Sequence, residues 1–166
     1  MTPETQRVRS YGQLIELLRR DQVAHQLDPN EQVITIPTRR DHDEGVALLR
    51  WQDRDGVLQV IHTLPVTVPA DRVAAMEAAV TRLNHALALP GFGLNHQTGT
   101  LYFRVTLPVA AAGVSPQDLQ SVFRAAVRTA FDMLPALRRV AEEGADPTMI
   151  VEDARIDLTI STGQPQ

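Results

Sequence analysis

The stretch Leu64-Pro65-Val66-Thr67-Val68-Pro69-Ala70-Asp71-Arg72 (LPVTVPADR) separates two kinds of sequence. Before it, Gly56 to Thr63 reads as a strand that follows an Asp-Gly hairpin signal. After it, Val73, Met76, Val80, Leu83 and Leu87 recur at the spacing of one helix face. Pro65 has no amide donor, which suits the end or edge of a strand and marks where pairing stops. Pro69 has a backbone angle preset for the first turn of a helix. Asp71 adds negative charge at the positive end of that helix. The stretch is therefore a joint that turns the chain from sheet to helix without slack, with the helix running from about Pro69 to about Leu87.

On the N-terminal side, Ser10 caps a first helix that reaches about Gln26, with Gln13 placed as in a capping box and Tyr11, Leu14, Leu17 and Leu18 as its apolar stripe. Leu27-Asp28-Pro29-Asn30 reads as a turn that stops it. Strands follow at Gln32 to Pro37, Gly45 to Gln52 and Gly56 to Thr63, the last two joined at Asp53-Arg54-Asp55-Gly56.

On the C-terminal side, Pro90-Gly91 breaks the second helix. Phe92 to Asn95 and Thr100 to Leu107 form another hairpin around His96-Gln97-Thr98-Gly99. Leu101, Phe103, Val105 and Leu107 point one way, and Tyr102, Arg104 and Thr106 the other, as in an antiparallel sheet with one face less buried. Ala110 to Gly113 is a linker. Ser115-Pro116-Gln117-Asp118 then starts a long helix whose stripe runs from Leu119 to Leu134, and Pro135 is expected to kink or restart it before Ala136 to Glu143. Ile156, Leu158 and Ile160 give a weak strand signal in an acidic tail. The order α-βββ-α-ββ-α, with strands grouped in hairpins, predicts an α+β fold: an antiparallel sheet with helices packed on it.

The chain has 166 residues, 43% of them hydrophobic, enough for one domain with a core. Aromatic residues are only 4%, so alanine, valine and leucine must fill that core. The absence of cysteine excludes disulfides, thiolate metal sites and cysteine nucleophiles. A net charge of -4 argues against a dedicated nucleic-acid binder. No apolar run suits a membrane span, and the start of the chain does not read as a signal peptide, so the expected location is cytoplasmic.

Catalytic patterns do not emerge. The five histidines have no metalloprotease spacing, although a hairpin brings His42 toward His62. Asp41, Asp43 and Glu44 resemble the start of a calcium loop, but Asp53 and Asp55 lie at the far end of one strand, roughly 20 Å away at ~3.3 Å per residue. Gly91-Phe92-Gly93 lacks the third glycine of a dinucleotide site and reads as a strand start with close backbone approach. Arg124, Arg128, Arg138 and Arg139 read as a solvated basic row. No catalytic residue, metal ligand or cofactor is expected.

One feature points outward. The middle helix has an apolar stripe, and Ala74, Ala75, Ala78, Ala79 and Ala86 make much of its remaining surface small and apolar. A helix apolar on more than one side packs against two things. Its sheet is one; the last helix or a second subunit is the other. Ala75, Met76, Ala79 and Leu83 are therefore candidate dimer contacts. Trp51, the single tryptophan, is a candidate partner anchor beside a hairpin end.

The Asp-Gly hairpin, TLPVTVPADR, RLNHALALPGFGLNHQTGTLYFRVTLPV and the SPQDLQSVF helix together resemble the YbjN family of bacterial proteins over about Tyr11 to Val140. The chain is expected to comprise a flexible N-terminus at 1–9, a YbjN-like domain over 10–143 and an acidic tail at 144–166, which departs from the family pattern and docks or extends. The resemblance implies a fold similar to type III secretion chaperones, which are small acidic homodimers that bind protein clients, and it brings no catalytic residues. The function expected is a non-catalytic, chaperone-like or regulatory homodimer acting on a protein partner. The alternative is a small-molecule or ion sensor using a pocket between sheet and helices.

Overall fold

A computed structural model describes residues 7–109 and 112–155. The elements are α1 (Tyr11–Arg20), β1 (Gln26–Asp28), β2 (Val33–Arg40), β3 (Asp43–Gln52), β4 (Val57–Thr67), α2 (Val73–Ala86), β5 (Phe92–Asn95), β6 (Thr100–Pro108), α3 (Pro116–Arg138) and α4 (Ile150–Asp153). The strands form one six-stranded sheet in the order β1-β2-β3-β4-β6-β5, with every neighbouring pair antiparallel. The α+β expectation holds.

Alternation sets the two faces of the sheet. Ile34, Ile36, Ala47, Leu49, Trp51, Leu58, Val60, His62, Leu64, Leu101, Phe103 and Val105 are buried on the face that carries the helices. Thr35, Leu48, Ile61 and Tyr102 face the other way and stay half exposed. Both serine caps form: Ser10 Oγ accepts from the Gln13 amide at 3.2 Å, and Ser115 Oγ from the Asp118 amide at 3.0 Å.

The opening joint differs from expectation in detail. Pro65 lies inside β4, which continues to Thr67. Pairing of β4 with β3 does stop at Thr63, and the register with β6 shifts between Thr63 and Thr67, where a residue without an N–H cannot complete the ladder. The Val68 amide then donates to Gly99 O at 2.8 Å. Gly99 has φ +67°, and a Cβ there would lie 2.5 Å from Val68 O, so the β5–β6 turn needs glycine at that place. Pro69 precedes a 3-10 turn over Ala70–Arg72 rather than sitting in the α-helix itself.

Other boundaries move for identifiable reasons. The helix α1 ends at Arg20 rather than near Gln26; Gln22 takes φ 55°, outside helical space, and Gln26–Asp28 form the short strand β1. Pro135 does not restart α3, which runs through it to Arg138 and loosens only afterwards, in a π-turn over Arg139–Glu143. Described residues on both sides of 10–143 also pack on the rest of the chain. Val8, 3% exposed, exchanges both amide hydrogen bonds with Val114. Ile150, fully buried, lies under α2. The strand signal at 156–160 falls outside the described residues.

Candidate functional site

The helix α3 packs on β4 and β6, and the sheet between it and α1 is left open at β2 and β3. The two helices leave a cleft of about 530 Å³ on the helical face of the sheet. Ile36 and Leu49 form its floor, Leu17, Leu18 and Val23 one wall, and Leu119 and Phe123 the other. Polar groups lie at the rim: Asp21, Gln117, Gln120 and Arg124. Each wall follows from local sequence. The α1 stripe turns Leu17 and Leu18 inward, and the Ser115 cap with Pro116 fixes the start of α3 so that Leu119 and Phe123 face α1. Such a cleft suits apolar side chains or an apolar ligand body, with polar recognition confined to its mouth.

The residues expected to meet a partner are spent elsewhere. Met76, Ala79 and Leu83 are fully buried within the chain's own core, and Ala75 is half-buried. The helix α2 does pack on two sides, but both covers belong to the same chain: β5 on one side, and Pro147–Met149 with α4 on the other. Trp51 is only 3% exposed; it packs in the core and its Nε1 donates to Asp53 Oδ1 at 2.6 Å. These five residues are corrected from contact candidates to interior or half-interior positions.

Among the described residues His62 is the buried polar residue of the core, with no exposed surface. Its Nε2 lies 2.8 Å from Thr38 Oγ1, and its ring meets Phe131 edge-on with centroids 4.9 Å apart. Burial pushes its pKa down to about 4, so it is neutral at neutral pH. His42 is exposed in the β2–β3 turn, so the two histidines do not share a site. The parity of Leu58, Val60 and Leu64 already placed His62 on the buried side; that signal would have found it.

The carboxylates serve as structural partners. Asp43 pairs with Arg138 at 2.8 Å, Glu44 lies 3.4 Å from Arg39, and Asp132 pairs with Arg40. No group of three or more potential metal ligands occurs among the described residues. Of the basic row, Arg138 and Arg139 are engaged with Asp43 and Asp153, while Arg124 sits at the cleft mouth. Gly91-Phe92-Gly93 is held by Asn84, whose Oδ1 accepts from the Gly91 and Phe92 amides at 3.1 and 2.9 Å and whose Nδ2 donates to Phe92 O at 2.9 Å.

The sequence pattern of YbjN, described as "Putative bacterial sensory transduction regulator", matches residues 11–139. The chain belongs to the YbjN family. The crystal structure of YbjN from E. coli, described there as "a putative transcription regulator", superposes with a TM-score of 0.64 at 14% identity, covering 83% of this chain and 96% of that one. At that identity the likeness concerns the fold. No curated protein matches this chain in sequence. The match ends at the π-turn, so α4 and its cover of α2 lie beyond the family pattern. No described helix is long and apolar enough to cross a membrane.

Proposed function

We propose that this YbjN-family chain is a non-catalytic, cytoplasmic protein-binding module, regulatory or chaperone-like, that works as a homodimer and takes an apolar segment of a protein partner between α1 and α3. The cleft over Ile36 and Leu49 carries this reading. Its walls are apolar, and its hydrogen-bonding groups sit at the rim, so affinity would come from burying a partner's apolar side chains. The family description as a regulator supports a role in control rather than conversion. The resemblance to type III secretion chaperones points the same way.

The test is capture from native lysate by the wild type and by Phe123→Asp, with equal melting temperatures as the control. Phe123 is half-buried at the cleft wall, so a charge there blocks the cleft at modest cost to the core. A partner retained by the wild type and lost by the variant supports the reading. A partner held equally by both, or none held by either, sinks it. The cleft volume also falls within the range of small-molecule sites, about 300–1,000 Å³, which favours a ligand sensor as the second reading. A metabolite that raises the melting temperature of the wild type but not of Phe123→Asp would select it.

A further inference from the structure

The sheet face opposite the helices has no cover among the described residues. Val46 is 36% exposed, and Leu48 and Ile61, only half-buried, lie outside the core cluster. Since α2 is covered by its own chain, this face is an apolar surface open to a homodimer.

The register of the sheet shows what fits it. Ala47, His62 and Phe103 form one row across β3, β4 and β6. On β3, the outward residues flanking that row are Val46 and Leu48, and beyond them Glu44 and Arg50. On β4 they are Thr63 and Ile61, and on β6 Tyr102 and Arg104. A half-turn about an axis along this row, between two stacked sheets, lays β3 antiparallel on its own copy. Val46 then meets Leu48, Glu44 meets Arg50, and Tyr102 meets Arg104. On β4 Thr63 meets Ile61, and each of these contacts occurs twice, as the two-fold of an isologous contact requires.

The charges are available for this. Arg50 is exposed and has no ion pair among the described residues, and Glu44 is held only loosely by Arg39 at 3.4 Å. Within one chain Arg104 lies 5.8 Å from the Tyr102 ring centre, so the two side chains share the outward face. Sheets stacked face to face stand about 10 Å apart, with strands aligned to within about 30°, so pairs close to the axis stay in register. We infer that the partner of this face is a second copy of the chain, stacked sheet on sheet about the Ala47–His62–Phe103 row, with Glu44 and Arg50 forming the symmetric pair. This inference rests on the homodimer of the proposed function, but not on the cleft.

The test is the association constant of the full chain, from sedimentation equilibrium, for the wild type, Glu44→Arg, Arg50→Glu and the double exchange. Each single reversal sets two repulsions across the two-fold and is expected to weaken the dimer by about tenfold or more at low salt. The double exchange restores both attractions and is expected to return the constant to within about threefold of the wild type. Leu48→Asp, on the same outward face, is expected to give a folded monomer. A wild-type dimer that none of these changes alters overturns the sheet face and leaves the homodimer standing. A monomeric wild type at high micromolar concentration overturns both; partner capture through the cleft would survive that result.

Discussion

His62 and Phe131 meet edge to face, with an interplanar angle of 65°, at the point where α3 crosses β4. The imidazole can stay there only while neutral. Its Nδ1 has no hydrogen-bond partner, and a second ring proton would place an unpaired buried donor and a charge beneath α3. The folded pKa of about 4 lies below the ordinary 6.5, so this group's contribution is fully present above pH 6.5 and is lost as pH falls through about 4. At pH 4 the loss is about 3 kcal/mol, taking about 1.4 kcal/mol per pKa unit. Urea midpoints measured from pH 7 to pH 4 are expected to fall steeply for the wild type and much less for His62→Leu. Equal slopes would show that other groups drive the acid sensitivity.

Gly45 makes room for that imidazole. A Cβ at this position would lie 2.8 Å from His62 Cε1 and 3.1 Å from Thr38 Oγ1, and neither is the end of a flexible chain. Gly45→Ala is therefore expected to cost about 1–3 kcal/mol despite a gain in strand preference. In a His62→Ala background the same change should cost far less, because the ring it strikes is gone. A double-mutant cycle in urea reads the difference, and an unchanged cost would place the strain elsewhere.

Asn84 joins the end of α2 to the start of β5. Its amide makes three hydrogen bonds to the backbone of Gly91 and Phe92, and the helix needs them because Leu87 has already turned to extended backbone. Asn84→Ala leaves part-buried backbone groups unpaired and is expected to lower stability by about 2–3 kcal/mol. Asn84→Asp keeps the two accepting contacts and loses the donor, so a smaller loss is expected. Amide exchange at Phe92, faster in Asn84→Ala, localises the effect.

The helices and long strands were legible because alternation, caps and turns agree in the same segments. Leu101, Phe103 and Val105 are buried while Arg104 and Thr106 are exposed, as their alternation demands. The strand β1 was not legible: Gln26, Leu27 and Asp28 are all exposed, and their conformation comes from pairing with β2. Nor was the cleft. Leu17, Leu119 and Phe123 carry the same pattern whether two helices touch or stand apart, and only the placement of α1 and α3 on the sheet decides that. Alanines on two sides of α2 announced two neighbours, but nothing in the helix itself identifies the second as its own C-terminal segment.

That segment yields the last prediction. Asp146 Oδ1 accepts from the Thr148 amide at 2.8 Å and starts the turn that drops Ile150 beneath α2. Ile150 is fully buried, and it lies beyond the residues that match the family pattern. If the segment were a loose tail, Ile150→Ala would change little. As a second cover for α2, it makes the change a large-to-small substitution in a packed core, at about 2–5 kcal/mol. Truncation after Gly144 removes the same cover and exposes the apolar side of α2, so the shortened chain is expected to melt lower and to bind a hydrophobic dye. A truncated chain that melts like the wild type and binds no dye would show that α2 needs no second neighbour.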